Sequence, residues 1–164
     1  MADKIRVLLG EEEVNKRINE VAEQINKDYA GKDIHLICIL KGGVFFACEL
    51  AKRITVPVSL DFMQVSSYGD ATESSGIVRI KKDLDDTMEN KEVIIVEDII
   101  DSGRSMKHLL EYLHAKNPKQ VIVATLFHKP KAAVCQVPIA YKGIELENDF
   151  VVGRGLDYDG LGRN

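Results

Sequence analysis

Three carboxylates and a glycine–serine turn stand next to each other between positions 97 and 105. The acids are Glu97, Asp98 and Asp101, and the turn that follows reads Ser-Gly-Arg-Ser. Backbone N–H groups of such a turn, and of a helix that begins after it, bind phosphate. Carboxylates suit hydroxyl groups, or a metal ion that itself bridges to phosphate. The stretch therefore favours a phosphorylated sugar as ligand, because such a sugar offers both kinds of partner.

A buried strand and an amphipathic helix flank this stretch. Val93–Val96 is a β-branched run too short for a helix, which is typical of a strand buried on both faces of a parallel sheet. Apolar residues at Met106, Leu109, Leu110 and Leu113 predict a helix after the turn. A solvated strand end or an ordinary turn would explain each feature alone. Three acids at the carboxyl end of a buried strand instead indicate a ligand site.

The sequence E-D-I-I-D-S-G-R-S at 97–105 resembles the 5-phosphoribosyl 1-pyrophosphate (PRPP) signature of the type I phosphoribosyltransferases. From about Ile5 to Arg163 the chain resembles the bacterial-type hypoxanthine-guanine phosphoribosyltransferases. The resemblance implies an α/β fold with a central, mainly parallel sheet flanked by helices and a small base-binding hood from the terminal segments. It also implies purine salvage, in which hypoxanthine or guanine and PRPP give IMP or GMP and pyrophosphate, with Mg²⁺ as cofactor.

The resemblance assigns roles to residues along the whole chain, with Asp101 as the general base. The residues expected to bind PRPP and its ribose 5-phosphate are Glu97, Asp98, Asp101, Ser102, Gly103, Arg104 and Ser105. Those expected at pyrophosphate are Lys41, Gly42 and Arg163. Those expected at the purine base are Lys129, Phe150, Val151 and Asp157. The expected metal ligands are Glu97, Asp98 and Asp157, and a mobile loop that excludes water is expected to start at Ser67 and Tyr68.

A second strand, turn and helix unit precedes the central motif. Ile34–Leu40 reads as a buried strand, Lys41, Gly42 and Gly43 form the turn, and a helix begins near Val44. As a bare pattern this turn is equally consistent with a simple connection. In the resembled family it binds pyrophosphate, and the peptide bond before the lysine is often cis.

The remaining pattern is that of alternating helices and strands. Three- and four-residue apolar spacing predicts a helix over Glu11–Tyr29. A polar, glycine-containing segment at 66–76 has no periodicity and indicates a functional loop or a surface hairpin. The further strands or extended pieces are expected at 56–65, 77–80, 121–127, 139–144 and 150–152.

Lys129 follows the strand predicted at 121–127, where a lone lysine is usually a solvated charge. The resemblance assigns it to the purine's exocyclic oxygen, and the chemistry is coherent because a lysine ammonium only donates hydrogen bonds. It suits the 6-oxo group of hypoxanthine or guanine, whereas the amino group of adenine would leave two donors unpaired. On the pattern alone, Phe150 would be assigned to the core and Asp157 to the surface.

Length, net charge and cysteine content limit the domain count, the partners and the cellular setting. The 164 residues are most economically a single domain spanning 1–164, and a formal net charge of −4 disfavours a nucleic-acid surface. Cys38, Cys48 and Cys135 lack metal-ligand spacing, Cys38 reads as core, and a reducing cytoplasm is the expected setting. No segment is long and apolar enough to span a membrane. The expected partners are small-molecule substrates and further copies of the chain, as a homodimer or homotetramer.

The sequence also bears on several alternative functions. The sequence lacks a P-loop motif, and the glycines at 153 and 155 do not form a dinucleotide fingerprint. A PRPP-sensing RNA-binding regulator should show a basic face, whereas this chain is mildly acidic and has no Lys/Arg run longer than Lys81-Lys82. Lys129 disfavours adenine and orotate as substrates, but xanthine stays open. The chain also departs from the family pattern at Arg154, where an aromatic residue is usual, and over 159–162, and relatives continue beyond the position of Asn164 into a final apolar strand.

Overall fold

A six-stranded sheet forms the centre of the computed structural model, which describes residues 4–67 and 78–164. The spatial order is β3-β2-β1-β4-β5-β6. β1 pairs in parallel with β2 and β4, and β5 pairs in parallel with β4 and β6, whereas β2 and β3 are antiparallel. The predicted mainly parallel sheet is therefore confirmed. The strands are β1 (Ile34–Leu40), β2 (Val58–Ser67), β3 (Val78–Lys82), β4 (Glu92–Ile100), β5 (Gln120–His128) and β6 (Tyr141–Glu145).

Within the described residues, three α-helices cover the two faces of the sheet. They are α1 (Glu11–Asp28), α2 (Val44–Arg53) and α3 (Arg104–His114), and a 3₁₀ turn spans Pro130–Ala132. Three glutamates in the first turn of α1 lie where the positive end of the helix dipole stabilises them. Apolar residues of α1 and α2 pack in one cluster, and those of α3 pack in another.

Alternation along β1 divides its side chains between these two clusters. Leu36 and Cys38 pack with α1 and α2, whereas Ile37 and Ile39 pack in the cluster that contains α3. Successive side chains of a strand point to opposite faces, so a strand covered on both faces is apolar throughout. Cys38 is completely buried, as predicted.

The strand order reverses between β1 and β4. From β1 the chain proceeds through α2 to β2 and β3 on one side, and from β4 it proceeds through α3 to β5 and β6 on the other. The connections that leave the carboxyl ends of these two neighbouring strands diverge to opposite faces. A crevice therefore opens between them, and this is the position where open α/β sheets bind ligands.

The structure corrects the predicted element boundaries in several places. Glu97 and Asp98 lie inside β4 rather than after it, because pairing with β5 continues through Glu97 opposite Thr125 to Ile100 opposite His128. The strand predicted at 56–65 begins after Pro57, and the one predicted at 139–144 begins at Tyr141. Residues 150–152 do not belong to a strand.

The predicted loop over the active site falls mainly outside the described residues. Ser67 is the last residue of β2, and Tyr68 lies outside the described ranges. Across residues 4–67 and 78–164, no helix has both the length and the apolarity that crossing a membrane requires.

Candidate active site

The connection from β4 to α3 is a tight turn built by its own side chains. The N–H of Ser102 donates to Oδ1 of Asp101 at 2.6 Å, and the N–H of Arg104 contacts Oγ of Ser102 at 3.4 Å. Gly103 adopts a φ of +81° and ends the turn, and the N–H of Lys107 donates to its carbonyl oxygen at 3.0 Å as α3 begins. The first N–H groups of the helix thus face the carboxyl end of β4.

Val134 and Cys135, in the segment that follows β5, support this turn through backbone hydrogen bonds. The backbone N–H groups of Val134 and Cys135 both donate to the carbonyl oxygen of Ser102, at 2.9 and 3.0 Å. A Cβ atom at Gly103 would lie 2.9 Å from the carbonyl oxygen of Cys135, so position 103 requires glycine for space as well as for its φ. The sequence carries no side-chain signal for this support, since backbone atoms provide it.

A small cleft of about 80 Å³ opens over the turn, lined by Glu97, Asp101, Ser102, Gly103 and Ser105 among others. Its walls combine acidic side chains with hydroxyl groups and the N-terminus of α3. An anion bound at the helix end would be stabilised by backbone N–H groups and by the helix dipole. Hydroxyl groups of the same ligand could reach the carboxylates.

Glu97 and Asp98, near the carboxyl end of β4, are crowded and partly buried. Burial raises the pKa of Glu97 well above its ordinary value of 4.5, and the negative charges of Asp98 and Asp101 add to this shift. Burial also raises the pKa of Asp98, although backbone hydrogen bonds and the positive charge of Arg163 oppose it. Carboxylates in this state favour a bound cation, or hydroxyl donors, that compensate their charge.

The turn after β1 packs directly on the acid pair. The peptide bond between Leu40 and Lys41 is cis, as the family resemblance implies, and the Lys41 residue is exposed. A Cβ atom at Gly42 would lie 1.9 Å from Oδ2 of Asp98. A Cβ atom at Gly43 would lie 2.7 Å from the carbonyl oxygen of Val96, so neither glycine has room for a side chain. The turn after β1 is therefore in contact with Asp98 and with the backbone of β4.

The C-terminal segment returns to the same place. Gly155 has a φ of +107°, and a Cβ atom there would lie 1.9 Å from the carbonyl oxygen of Gly42. Arg163 donates from Nη1 to the carbonyl oxygen of Gly155 at 2.5 Å, and its Nη2 lies 3.5 Å from Oδ1 of Asp157. The charges of Asp157 and Arg163 both act on the pKa of Asp98. Gly155 was not among the predicted site residues, because the sequence shows only that glycines stand at 153 and 155, and the positive φ and the close approach are visible only in the fold.

Arg154, where the sequence departs from the family pattern, attaches this segment to the first helix. Its Nη1 donates to Oδ1 of Asn15 in α1 at 2.9 Å, and its φ is +53°. Gly160 donates its N–H to Oδ2 of Asp157 at 2.8 Å, so the unusual glycine run is folded around Asp157.

Two of the residues predicted to contact the purine base, Lys129 and Val151, lie beside the end of β5. The N–H of Lys129 donates to the carbonyl oxygen of Ile100 at 3.0 Å, which places Lys129 next to the end of β4. Val151 and Phe127 line one cavity of about 350 Å³. Phe150 is 72% exposed and contacts Tyr158 edge to face, with ring centroids 5.9 Å apart. The interpretation of Phe150 as a core residue is therefore wrong, because no apolar cluster of the described residues includes it.

The acids predicted as metal ligands do not form a preassembled cage. Within the described ranges, one group of three His, Cys, Asp or Glu side chains has ligand atoms within 4.8 Å of one another, and it is not Glu97, Asp98 and Asp157. Mg²⁺ is usually held by one or two carboxylates together with phosphate oxygens and waters. The adjacent Glu97 and Asp98 fit that kind of site, with Asp157 nearby.

Comparison with known proteins shows similarity over almost the whole chain. The sequence matches the family described as "Phosphoribosyl transferase domain" over residues 8–159. A hypoxanthine-guanine phosphoribosyltransferase of Mycobacterium tuberculosis is 49% identical over 159 residues, covering 93% of this chain and 79% of that protein. A hypoxanthine phosphoribosyltransferase structure from Staphylococcus aureus has a TM-score of 0.95 at 42% identity, covering 99% of this chain and 88% of that one. A hypoxanthine-guanine phosphoribosyltransferase structure from Bacillus anthracis has a TM-score of 0.94 at 37% identity, covering 98% and 94%.

Proposed function

Since the chain belongs to the phosphoribosyltransferase family, we propose that it transfers the phosphoribosyl group of PRPP to hypoxanthine and guanine. The products are IMP or GMP and pyrophosphate. One observation carries the proposal: the turn after β1 and the acids of β4 meet at the point where the strand order reverses, with Gly42 against Asp98. A ligand in this crevice would contact a phosphate-binding turn on one side and a lysine–glycine turn on the other.

The ribose 5-phosphate binds at the start of α3. Backbone N–H groups and hydroxyls of the segment Asp101–Ser105 bind the phosphate, because the helix end is electropositive and the turn is held rigidly from behind. The hydrogen bonds from Val134 and Cys135 to Ser102 support this rigidity. The turn is therefore positioned before the substrate arrives, which reduces the cost of ordering it on binding.

Glu97 and Asp98 accept hydrogen bonds from the ribose hydroxyls. Their negative charges also stabilise the positive charge that develops on the ribose ring as the bond to pyrophosphate breaks. Burial raises the pKa of both groups because water solvates them poorly there, so ribose hydroxyls and a positively charged partner would stabilise their ionised form. Electrostatic stabilisation is strongest in such surroundings.

The donor set of the crevice fits Mg²⁺, which Glu97, Asp98 and Asp157 would hold together with oxygens of PRPP. Bound Mg²⁺ supplies neutralisation of the charge on the departing pyrophosphate. On the protein's side, Lys41, the backbone of Gly42 and Arg163 bind the pyrophosphate. The hydrogen bond from Arg163 to Gly155, and the contact of Gly155 with Gly42, support one site for these residues.

The purine lies between the end of β5 and the C-terminal segment. Lys129 donates to the 6-oxo group, Phe150 stacks on the ring, and Val151 reads the base edge with its backbone, near Asp157. The exposed ring of Phe150 supports a stacking role, since an aromatic side chain that is 72% exposed is free to cover a ligand. Asp101 accepts the purine ring proton as the new glycosidic bond forms, and its exposed position at the turn supports access to the base.

The experiment that tests this function measures pyrophosphate release from PRPP and Mg²⁺ with hypoxanthine, guanine, xanthine and adenine supplied separately. We expect release with hypoxanthine and guanine and none with adenine, and the xanthine result defines the breadth of the site. The Asp101→Asn variant, assayed in parallel, gives the background rate. PRPP binding without release on any of the four bases would contradict the enzymatic function and favour a PRPP-sensing regulator.

Assembly and location complete the proposal. We propose that the chain acts in the cytoplasm on small-molecule substrates and forms a homodimer or homotetramer. Apolar side chains exposed on the single chain, such as Leu60 and Val134, support contacts between copies. Light scattering on the protein eluted from a size-exclusion column measures the molar mass of the assembly. A monomer at micromolar concentration would contradict the proposed assembly.

A further inference from the structure

A second group of ionisable side chains lies toward the amino end of β1, away from the carboxyl end at which the proposed active site lies. His35 is the second residue of β1, and Asp61 lies on the neighbouring β2. Asp86 belongs to the connection between β3 and β4. Each of the three offers one ligand atom, and these atoms lie within 4.8 Å of one another. His35 lies roughly 16 Å from Leu40, at the active-site end of β1, because a strand rises by about 3.3 Å per residue.

His35 carries a buried nitrogen that the fold does not use. The residue is 2% exposed, and its Nδ1 forms a hydrogen bond with Oγ of Ser59 at 2.7 Å. Its Nε2 has no hydrogen-bond partner among the described residues, and the nearest carboxylate oxygen, Oδ2 of Asp61, is 3.9 Å away. That separation is too long for a hydrogen bond. Buried polar atoms are normally paired, so an unpaired one indicates a missing partner.

Asp61 is held as a rigid carboxylate beside this nitrogen. It is 2% exposed, and backbone N–H groups of Phe62, Asp85 and Asp86 donate to its oxygens at 2.8, 3.1 and 2.9 Å. Burial alone would raise the pKa of Asp61, but these hydrogen bonds outweigh it and lower the pKa. The side chain therefore carries its negative charge in the folded protein.

Asp86 supplies the exposed side of the group. Its backbone is fixed by the bond to Asp61, whereas its side chain is exposed and can change rotamer without disturbing the core. Burial and the positive charge of Lys91 lower the pKa of His35, which keeps the imidazole neutral and leaves one ring nitrogen with a lone pair. The bond of Nδ1 with Ser59 allows Nδ1 to hold the proton and Nε2 to hold that lone pair.

We propose that His35, Asp61 and Asp86 bind a divalent transition-metal ion such as Zn²⁺. Imidazole nitrogens and carboxylate oxygens are both ligands that Zn²⁺ takes in proteins, and two negative charges balance its own. Tetrahedral Zn²⁺ with bonds near 2.0–2.2 Å places its ligand atoms roughly 3.3 Å apart, so Nε2 and Oδ2 need to approach by only about half an ångström. Mg²⁺ prefers oxygen ligands, so the histidine favours Zn²⁺ here.

The bound ion would join three separate parts of the fold. It would link β1, β2 and the connection that leads into β4, and the hydrogen bond between Nδ1 of His35 and Oγ of Ser59 would orient the histidine ring. Because the ion binds the folded chain and these ligands do not converge in the unfolded chain, Zn²⁺ should raise the unfolding temperature. The site lies far from the ribose-binding acids, so its occupancy is separable from catalysis.

The test uses the full chain after removal of metals with EDTA, and the probe is Zn²⁺ itself. Calorimetric titration and thermal unfolding are measured for the parent and three variants. His35→Asn keeps a polar atom near the position of Nδ1 for Ser59 and removes Nε2. Asp86→Asn weakens an exposed ligand while preserving its backbone N–H. Asp85→Asn is the matched control, since Asp85 is the neighbouring exposed acid outside the group.

We expect the parent and Asp85→Asn to bind one equivalent of Zn²⁺ that His35→Asn lacks, and to unfold at a higher temperature when Zn²⁺ is present. Asp86→Asn should bind this equivalent at least about tenfold more weakly, since losing a supporting group alone costs roughly 10–100-fold. Equal stoichiometry and affinity in the parent and His35→Asn would overturn the proposal. If His35→Asn does not fold, the Zn²⁺ affinity of Asp86→Asn tests the proposal. An affinity equal to that of the parent would overturn it.

Discussion

The backbone of Gly155 lies against the carbonyl oxygen of Gly42, so close that a Cβ atom at position 155 would be 1.9 Å from that oxygen. Gly42 in turn lies against the carboxylate of Asp98. The C-terminal segment, the turn after β1 and the acids of β4 are therefore stacked in contact. A displacement at Gly155 would pass through Gly42 to the proposed pyrophosphate site.

Replacing Gly155 with alanine should impair catalysis more than folding. The new methyl group has to displace the backbone of Gly42, and a displacement of about 1 Å at a positioning element can cost roughly 100-fold in rate. We expect kcat/KM for PRPP to fall at least about tenfold, measured by steady-state kinetics. Gly153→Ala is the matched control, since Gly153 also has a positive φ, +94°, but its Cβ would meet its nearest neighbour at 3.6 Å. Equal kinetic losses in both variants would show that backbone strain, and not the contact with Gly42, is responsible.

Asp101→Asn tests the general base. The asparagine oxygen can still accept the hydrogen bond from the N–H of Ser102, which keeps the turn intact, but the amide cannot accept a proton. We expect kcat to fall by roughly 10²–10⁴-fold with little change in the dissociation constant of PRPP. Pre-steady-state kinetics and calorimetry measure the two quantities separately. An unchanged kcat would remove Asp101 from the mechanism, and a large loss of PRPP affinity would assign it a structural role instead.

Lys129→Ala tests recognition of the 6-oxo group. Its loss leaves the purine oxygen without a donor in the site, so the KM for hypoxanthine should rise far more than the KM for PRPP. The control is Lys131→Ala, two residues along, where the lysine pairs with Glu147 at the surface. A similar rise for both substrates in Lys129→Ala would indicate that the lysine maintains the structure near the end of β5.

Glu97→Gln should reduce the pH dependence of the free energy of unfolding and should also weaken PRPP binding. Burial, and then the charges of Asp98 and Asp101, raise the pKa of Glu97 well above 4.5, so above pH 4.5 the folded chain binds more protons than the unfolded one. The free energy of unfolding therefore falls as the pH rises from 4.5 through the raised pKa. Glutamine removes this titration, so the variant should lose less stability between about pH 5 and pH 8 while binding PRPP more weakly. Denaturant unfolding at several pH values measures the slope, with the exposed Glu23→Gln as control. A slope equal to that of the parent would contradict the prediction.

Local patterns were sufficient for most of the secondary structure and for the central motif. Ile34–Leu40 was predicted with its observed boundaries, because an unbroken apolar run bounded by a charged and glycine-containing turn leaves little choice. The end of β4 was predicted too early, because acids usually end a strand. Pairing with β5 extends the strand through Glu97 and Asp98, and this pairing is a tertiary effect.

Phe150 shows the limit of composition as a guide to burial. An aromatic residue near the end of a chain is usually assigned to the core, yet this one is 72% exposed. The family resemblance, and not the pattern, indicated a different role. Hydrophobicity ranks a residue's preference for burial, but the fold decides whether an apolar neighbour is present.

The sequence by itself determined the strand and helix order, the glycine–serine turn with its neighbouring acids, and membership of the family, because these depend on residues close together in the chain. Only the tertiary structure decided which distant segments meet. The contacts of Gly155 with Gly42, of Cys135 with Gly103, and of Arg154 with Asn15 join positions far apart in sequence. The grouping of His35 with Asp61 and Asp86 likewise depends on the register between β1 and β2 and on the position of the connection between β3 and β4. Glycine contacts and backbone hydrogen bonds carry little side-chain signature, so the folded chain alone reveals them.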